Sequence, residues 1–405
     1  MARFIVVVLD GFGIGEMSDV AHFRPQDIGA NTASHLIQHF SHRRLPTLEM
    51  LGLLNTIPSI DSVMVPNKRA NWGRSELFHI GCDTFMGHQE IMGTKPIDPI
   101  ITPFNDSIEA IELALQHKNY YVERLYYQDL ALLQVNGCVV IGDNLEADLG
   151  QVYNLTANLN LISFDEVKKI AQVVRQANCV SRNIAFGGCI DGMTPIYEAI
   201  EVRKNKNGTP CFIGVNAPAS GTYEKGFQVA HLGYGVDATT QVPFCLNQVG
   251  ITSYLYGKVA DIVQNNQGVS YTSIVDTDRV FSLLIDDLNI IEDGFFCANI
   301  QETDLSGHQQ DPERYWNTLE LADNGLAKII STMTSKDILV VMADHGNDPF
   351  IGHSCHTREM VPILVFHSPW QYKQFGTLST LADVGASVTD FFNAPRPQFG
   401  HSFLD

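Results

Sequence analysis

The chain has 405 residues, enough for two domains, and its 45% hydrophobic and 18% charged residues are typical of a globular protein. Its formal net charge of −19 argues against a nucleic-acid backbone or an anionic membrane as a partner. So acidic a protein can still bind phosphate, but it needs metal cations or a local cluster of Lys and Arg to do so.

The cysteines indicate a reducing compartment. All eight are scattered and none has CxxC spacing, so we interpret them as reduced core residues of a cytoplasmic protein. The apolar start of the chain, residues 4–9, is too short to span a membrane. It runs directly into Asp10, which favours a strand over a signal peptide.

The first predicted element is therefore a buried strand that ends in a carboxylate. The glycines after it, residues 11, 13 and 15, would let the backbone pass close to whatever Asp10 holds. They fall short of GxGxxG, so a dinucleotide site is weakly supported. Asp10 could instead be a helix N-cap, but a second strand end of the same kind favours shared metal binding.

Residues 81–94 form a turn-rich segment without helical or strand periodicity. It contains Thr84 and His88. A threonine in such a segment is ordinarily a turn or cap residue. It becomes a candidate nucleophile only beside a metal, because coordination lowers the pKa of a hydroxyl. His88 could support the site or be merely structural.

A second domain is predicted at residues 98–228, inserted into a core formed by residues 1–97 and 229–405. The Pro-rich residues 96–107 look like a linker. Helical spacing follows at 107–118, and Ser163 and Glu166 predict a capping box at the start of another helix. Apolar runs at 138–142 and 209–216 predict strands.

The pattern of alternating strands and helices resumes beyond the insertion. Residues 249–262 predict a strand followed by Lys258, and residues 294–304 a strand with Asp304 just past its end. Asp311 and Pro312 begin a long amphipathic helix. The apolar run 337–342 then predicts a buried parallel strand that leads into ADHGND, residues 343–348. We predict an α/β fold with a doubly wound core and a smaller inserted α/β domain.

Ligands in open α/β sheets collect beyond the carboxyl ends of the strands, where the candidate metal ligands of this chain also lie. These ligands are three carboxylates and three imidazoles: Asp10, Asp304, Asp344, His308, His345 and His356. Asp and His side chains are natural ligands for divalent metals, and this set could hold two ions. Paired metals suit in-line displacement at phosphorus because they clamp the attacking and leaving oxygens together. They would also explain how so acidic a protein binds an anion.

Nine segments of the sequence resemble the phosphopentomutase family, within the alkaline phosphatase superfamily of metalloenzymes. They are LDGFGIGEM (9–17), GANT (29–32), LPTLEMLGL (45–53), DTFMGHQEIMG (83–93), YGKVADI (256–262), DLSGHQQDPERY (304–315), ADHGNDP (343–349), HTREMVPILVF (356–366) and GHSFL (400–404). The resemblance implies an alkaline-phosphatase-like core and a cap domain in the inserted segment. It implies a first Mn²⁺ held by Asp10, Thr84, Asp344 and His345, and a second held by Asp304, His308 and His356.

The resemblance also implies a reaction. The family interconverts ribose 1-phosphate and ribose 5-phosphate through a phosphorylated threonine, here Thr84, with a sugar bisphosphate as primer. Asp148 and Lys258 occupy positions that contact the sugar phosphate in that family. A small phosphorylated sugar would be the substrate, and an Asp and His shell would accept Zn²⁺ as well as Mn²⁺.

The inserted segment departs from the family. The arginines that bind phosphate in that family are not evident here, since no arginine lies between Arg203 and Arg279. Lysine does not replace a bidentate arginine well. The segment from Asp304 to His308 is one residue shorter than usual and resembles that of cofactor-independent phosphoglycerate mutases. Two alternatives therefore stay open: a phosphatase, phosphonate hydrolase or other phosphotransferase of the same superfamily, and a non-catalytic metal-binding protein.

Overall fold

The computed structural model describes residues 2–145, 149–205 and 207–404. The chain divides into two compact units: Met1–Pro96 together with Asp237–Asp405, and Ile97–Val236. The strands of the described residues are, in chain order, β1 (Arg3–Leu9), β2 (Asn71–Ser75), β3 (Val122–Tyr127), β4 (Leu130–Val135), β5 (Val139–Asp143), β6 (Val152–Asn158), β7 (Arg182–Gly188), β8 (Ile200–Lys204), β9 (Pro210–Val215), β10 (Gln228–Gly233), β11 (Ser253–Tyr256), β12 (Val269–Tyr271), β13 (Gly294–Ile300), β14 (Ile338–Met342), β15 (Val361–Phe366) and β16 (Gln374–Leu378).

The α-helices of the described residues are α1 (Val20–Phe23), α2 (Thr32–His39), α3 (Pro46–Leu51), α4 (Leu53–Thr56), α5 (Thr84–Ile91), α6 (Phe104–His117), α7 (Phe164–Gln176), α8 (Thr194–Glu198), α9 (Val242–Asn247), α10 (Lys258–Ile262), α11 (Thr277–Ile290), α12 (Gln301–His308), α13 (Pro312–Thr332) and α14 (Ala382–Phe391). Short 3-10 helices occur at Pro25–Asp27, Pro218–Ser220 and Ala238–Thr240. The predicted α/β fold is confirmed. None of the described helices is both long and apolar enough to cross a membrane.

The larger unit is built on an eight-stranded sheet with the order β12-β11-β13-β1-β14-β15-β2-β16. Strand β1 is buried along its whole length because apolar and β-branched residues fill both of its faces. It pairs in parallel with β13 on one side and with β14 on the other. In this register Leu9 lies opposite Ile300, and Val8 lies opposite Met342. The carboxyl ends of the three central strands therefore meet at one edge of the sheet.

Strand β15 runs antiparallel to both of its neighbours, β14 and β2. An antiparallel neighbour can be reached by a direct connection, whereas a parallel one needs a crossover to the other end of the sheet. The segment between β14 and β15, residues 343–360, consequently starts and ends at the carboxyl edge. This connection keeps His356 near Asp344.

Helix α13 begins as the sequence predicts. The Asp311 carboxylate accepts a hydrogen bond from the Arg314 amide at 3.0 Å, and Pro312 occupies the first turn. Its apolar face buries Tyr315 and Trp316 in the core of the larger unit.

One predicted boundary at the sheet edge is wrong. Strand β13 ends at Ile300 and α12 begins at Gln301, so Asp304 lies in a helix four residues beyond the strand rather than just past its end. Asp304 and His308 are four residues apart on that helix and therefore share one face. This geometry lets the shortened segment bring its two candidate ligands together.

The smaller unit contains a six-stranded sheet with the order β10-β7-β6-β5-β4-β3. Helices α6 and α7 cover one face, and the β8–β9 hairpin with α8 packs on the other. Strand β10 pairs with β7, so this unit extends to Val236, eight residues beyond the boundary expected from the sequence. Ser163 caps α7 by accepting from the Glu166 amide at 3.3 Å, but the Glu166 carboxylate binds Tyr120 and Lys169, so only half of the capping box forms.

The eight cysteines are all free thiols. Residues 82, 138, 245 and 297 are buried, whereas Cys355 is exposed and the other three are partly exposed. The interpretation of all eight as core residues was therefore too broad.

Candidate active site

The candidate metal ligands gather at the carboxyl edge of the central strands. Among the described residues, two groups of Asp and His have the spacing needed to hold a metal ion: one comprises Asp10, Asp344 and His345, and the other Asp304, His308 and His356. Within each group the potential ligand atoms all lie within 4.8 Å of one another. All six residues were singled out from the sequence.

The first group, which we call the Asp10 cluster (Asp10, Asp344, His345), is fully buried. The His345 Nε2 lies 3.5 Å from Asp10 Oδ1 and 3.3 Å from Asp344 Oδ2. Burial, together with the charge of Asp344, raises the pKa of Asp10 to about 7. Burial lowers the pKa of His345 to about 4, so its imidazole is neutral at pH 7.

Two atoms of the Asp10 cluster need a partner that the described protein atoms do not supply. Asp10 Oδ1 and His345 Nε2 are buried, and neither has a hydrogen-bond partner in the described parts of the chain. The other ring nitrogen, His345 Nδ1, donates to the Gly346 carbonyl at 2.9 Å, which leaves a lone pair on Nε2. Unpaired buried polar atoms are costly, and a carboxylate facing an imidazole lone pair is a donor set for a cation. A divalent metal fits this cluster.

The second group, the Asp304 cluster (Asp304, His308, His356), is more accessible. Asp304 is buried, whereas the side chains of His308 and His356 are 39% and 20% exposed. The Asp304 carboxylate contacts both rings, with Oδ2 at 3.4 Å from His308 Nε2 and Oδ1 at 3.2 Å from His356 Nε2. One cluster is thus closed and the other reachable from solvent.

The two imidazoles of the Asp304 cluster point Nε2 at each other across 2.9 Å. Each ring commits its Nδ1–H to a backbone carbonyl: His308 to Ser354 at 2.6 Å and His356 to Cys82 at 2.9 Å. The facing nitrogens can tolerate this separation only with a proton or a metal between them. Because metal-bound histidines ordinarily donate their other N–H to a carbonyl or carboxylate, this cluster also fits a divalent ion.

Lys258 lies between the two clusters at the start of α10. Its Nζ is 3.0 Å from Asp10 Oδ2 and 3.5 Å from Asp304 Oδ2. Burial alone would lower the pKa of Lys258, but the charges of Asp10 and Asp304 outweigh it and raise the pKa. The ammonium is therefore a fixed positive charge at the centre of the site.

Thr84 is the first residue of α5, a helix capped by Asp83, whose carboxylate accepts from the Met86 amide at 3.1 Å. The Thr84 hydroxyl donates to Asp344 Oδ2 at 2.6 Å, which places it at the Asp10 cluster. A hydroxyl oxygen at a helix N-terminus lies at the positive end of the helix dipole. An anion transferred to this oxygen would be stabilised there.

His88, one turn further along α5, is fully buried beside Thr84. Its Nδ1 lies 2.9 Å from the Thr84 carbonyl and 3.2 Å from Asp344 Oδ2, and its Nε2 lies 3.0 Å from Asn299 Oδ1. Both nitrogens thus face acceptors. Burial opposes protonation, but the charge of Asp344, its hydrogen bond to His88 and the charge of Asp10 together outweigh burial and raise the pKa of His88. His88 supports the site directly and is not an ordinary core histidine.

Sequence reasoning missed two asparagines that orient the ligands. Asn299 Nδ2 donates to Asp10 Oδ2 at 2.8 Å, and Asn347 Nδ2 donates to Asp304 Oδ1 at 2.8 Å. Asn299 occupies Asp10 Oδ2 and leaves Oδ1 for the cluster, whereas Asn347 holds the Asp304 oxygen that also lies 3.2 Å from His356 Nε2. A buried amide at the end of the apolar run GFFCANI was the available signal for Asn299.

Asp148, the other substrate-contact candidate, lies outside the described residues. His353, on the connection between β14 and β15, has Nε2 at 3.1 Å from Asp27 Oδ1 and a side chain that is 23% exposed.

Comparison with known proteins places the chain in a family. Residues 2–396 match the model of the metalloenzyme superfamily. The chain is 28% identical to a phosphopentomutase of Symbiobacterium thermophilum, with 100% of this chain and 98% of that protein covered. It is 27% identical to a phosphopentomutase of Herpetosiphon aurantiacus, with 99% and 98% covered. Among solved structures, a phosphoglycerate mutase of Leishmania mexicana matches with a TM-score of 0.46, 12% identity and coverage of 99% and 97%.

The family model and the two phosphopentomutase matches cover nearly the whole chain, so the resemblance seen in the sequence motifs is confirmed. The chain belongs to the metalloenzyme superfamily.

Proposed function

We propose that this protein is a phosphosugar mutase that interconverts ribose 1-phosphate and ribose 5-phosphate through a phosphothreonine at Thr84. The observation that carries the proposal is the position of the Thr84 hydroxyl, 2.6 Å from Asp344 Oδ2 at the Asp10 cluster. The full-length similarity to two phosphopentomutases supports the choice of a pentose phosphate.

Two divalent ions would occupy the site, one held by the Asp10 cluster with Thr84 and one by the Asp304 cluster. Bound there, they would supply Lewis acidity toward the phosphoryl oxygens and lower the pKa of a coordinated hydroxyl. Mn²⁺ is the ion we propose, and Zn²⁺ would also suit a mixed Asp and His shell.

The residues of the chain supply orientation and fixed charge. The Thr84 hydroxyl donates a hydrogen bond to Asp344 Oδ2, so a lone pair of Thr84 Oγ1 remains available to bond to phosphorus. In the transfer, the free hydroxyl oxygen of the sugar phosphate bonds to the phosphorus of phosphorylated Thr84, and the bond from phosphorus to Thr84 Oγ1 breaks. The hydroxyl proton of the sugar finishes on Thr84 Oγ1, and the product is a sugar bisphosphate. The reverse transfer then moves the other phosphoryl group of the bisphosphate to Thr84 Oγ1, and the sugar oxygen that it leaves takes the proton. Lys258 places positive charge beside the group that moves, in a site where little water screens it.

Phosphorus NMR of ribose 5-phosphate tests the proposal, with purified protein, Mn²⁺ and a sugar bisphosphate primer. We expect ribose 1-phosphate to appear. Thr84→Val, which keeps the shape but removes the hydroxyl, should abolish the reaction, and Thr84→Ser should retain part of it. Absence of ribose 1-phosphate from a metal-loaded sample would overturn the pentose assignment.

A second candidate is a phosphatase or another phosphotransferase of the same superfamily. It is favoured by the contacts of three arginines of the smaller unit, each of which already binds another side chain. Arg124 pairs with Glu112, Arg203 pairs with Glu201, and Arg175 donates to Asn178. These three guanidinium groups already bind protein partners, so they are less available to a second phosphate group. Release of free phosphate in the same NMR experiment would identify this activity.

A further inference from the structure

The segment that leads into Thr84 is held by two buried charges of opposite sign. This entry segment, residues 77–83, connects the end of β2 to the start of α5. It is irregular backbone, so its amides and carbonyls need partners from elsewhere in the fold. The described contacts show which side chains provide them.

Arg358 supplies the donors. Its side chain is buried, with the residue 3% exposed. The Nη1 group donates to the carbonyls of His79 and Gly81 at 2.7 and 2.6 Å, and Nη2 reaches the Leu77 carbonyl at 3.3 Å. The same guanidinium is neutralised by Asp19, whose two oxygens lie 2.9 and 2.8 Å from Nε and Nη2. One rigid fork thus fixes three alternate carbonyls of the entry segment.

Glu90 supplies the acceptors. Its buried carboxylate accepts the amides of Phe78 and His79 at 3.0 and 3.1 Å and lies 2.7 Å from His79 Nδ1. It also accepts the Thr380 hydroxyl at 2.7 Å. Glu90 stands on the same helix as Thr84, so the entry segment is fastened to the helix that it begins.

Arg358 also lies two residues after His356 on the connection to β15. His356 Nδ1 donates to the Cys82 carbonyl at 2.9 Å, and the Cys82 thiol contacts the His356 carbonyl at 3.4 Å. The segment bearing one candidate metal ligand is therefore joined to the segment bearing the candidate nucleophile at both Cys82 and residues 77–81. A shift of either segment would be transmitted to the other.

We propose that Arg358 is a positioning residue for phosphoryl transfer, which sets Thr84 and His356 relative to each other by holding three carbonyls of residues 77–81. The inference rests on the proposed role of Thr84 as the phosphoryl acceptor. Arg358 does not contact Thr84 itself and acts through the backbone. Misplacement of a reacting group by about 1 Å can cost on the order of 100-fold in rate, so the loss of this fork should be visible in the chemistry.

Arg3 offers a matched control in the same unit. It is also a buried arginine that pairs with a carboxylate, Asp337, and donates to two carbonyls, those of Leu288 and Thr332. Neither carbonyl belongs to a segment that bears a candidate site residue. Arg3→Ala and Arg358→Ala should therefore reduce thermal stability alike but differ in their effect on Thr84.

The test measures the rate at which Thr84 becomes phosphorylated by ribose 1,5-bisphosphate, read by peptide mass spectrometry of the Mn²⁺-loaded protein. We expect Arg358→Ala to slow labelling by about 100-fold, Arg358→Lys to slow it less, and Arg3→Ala to leave it unchanged. Guanidinium ion at tens of millimolar should restore part of the rate to Arg358→Ala alone. In the metal-free protein, hydrogen exchange of residues 77–83 should accelerate in Arg358→Ala and not in Arg3→Ala.

Wild-type labelling with an unchanged rate in Arg358→Ala would overturn the inference, as would an equal loss in Arg3→Ala. If wild-type Thr84 is never labelled, the proposed function fails instead. The hydrogen-exchange comparison then still decides whether Arg358 orders the entry segment.

Discussion

At the scale of single residues, the site is defined by buried polar atoms whose partners are fixed by geometry. Asn299 is the clearest example. It accepts from His88 Nε2 and donates to Asp10 Oδ2, and thereby links the helix of Thr84 to the Asp10 cluster. Asp143, in the smaller unit, is a buried carboxylate whose described hydrogen bonds come from backbone amides and not from a charged side chain. Each of these residues leads to a measurable prediction.

Replacement of Asn299 by leucine should destabilise the protein and weaken metal binding. The change leaves the buried His88 Nε2 without a partner and removes one of two donors to Asp10 Oδ2. A cost of about 2–4 kcal/mol in the free energy of unfolding is expected from such groups. Urea unfolding with and without Mn²⁺ measures both effects. Asn71→Leu, a buried asparagine of β2 away from the clusters, should leave the response to Mn²⁺ intact; an equal response in both variants would contradict the prediction.

Asp143 should make the stability of the protein depend on pH. Both of its oxygens accept backbone amides, from Phe104 and Ile213 at 2.9 Å each, yet burial outweighs these bonds and raises its pKa from 3.8 to about 7. The folded state therefore keeps a proton that the unfolded state releases above about pH 4. This stabilising contribution is complete below that pH and is lost as the pH rises through about 7, by up to about 1.4 kcal/mol per unit.

The measurement compares unfolding of the wild type and Asp143→Asn at pH 5 and pH 7.5. The variant cannot ionise at this position, so its stability relative to the wild type should improve as the pH rises. The lost acceptor adds an offset that is the same at both pH values. A constant difference between the two proteins would show that Asp143 is already ionised when folded.

At the scale of elements, the site depends on how closely α5 approaches the end of β14. Gly87 faces that strand end, and a Cβ placed there would lie 2.9 Å from the Asp344 carbonyl oxygen and 3.1 Å from Asp344 Cβ. Only glycine permits this approach. The short distance from Thr84 to Asp344 follows from it.

Gly87→Ala should therefore have two opposing effects on the stability of the protein. Helix propensity alone favours alanine by roughly 1 kcal/mol, whereas the contact with Asp344 should cost about 1–3 kcal/mol and displace α5. We expect a lower melting temperature and a loss of Thr84 phosphorylation on the order of 100-fold. A melting temperature above that of the wild type would show that the helix yields without strain.

At the scale of the whole molecule, the two units differ in what stabilises each of them. The larger unit concentrates three carboxylates at one sheet edge in a chain that already carries a net charge of −19. The smaller unit, residues 97–236, has its own apolar clusters on both faces of its sheet. The first should therefore respond to metal, and the second should fold without it.

Metal removal should lower the stability of the protein, because bound cations offset the repulsion among Asp10, Asp304 and Asp344. An ion present at 100 times its dissociation constant stabilises the folded state by about 2.7 kcal/mol. Thermal unfolding after chelation, and again after addition of Mn²⁺ or Zn²⁺, measures the shift. The double substitution His308→Ala with His356→Ala should remove the part due to the Asp304 cluster. An identical melting temperature with and without metal would contradict two-metal binding.

We propose residues 97–236 as the bounds of the inserted domain. A fragment with these bounds should fold in isolation. We expect cooperative thermal unfolding of the purified fragment and no effect of Mn²⁺ on it. A fragment cut at residue 228 serves as the comparison, because it lacks β10 and exposes the edge of β7. Equal stability of the two fragments would favour the shorter boundary.

The sequence alone determined the elements whose causes are local. The apolar, β-branched runs of β1 and β14 identified buried strands, Asp311 and Pro312 identified the start of α13, and the carboxylates at strand ends identified the candidate ligands. These features depend on residues close together in the chain, so their pattern is visible in the chain. The motifs also indicated the metalloenzyme superfamily, which the match over residues 2–396 confirms.

The tertiary structure decided what depends on contacts between distant residues. The position of β1 between β13 and β14, the reversal of β15, and the hydrogen bonds of Asn299 and Arg358 all involve partners far apart in sequence. Strand order and the pairing of buried polar groups are fixed by which surfaces can be buried together, and a local pattern does not specify this. The sequence therefore supplied the chemistry of the site, and long-range packing supplied its geometry.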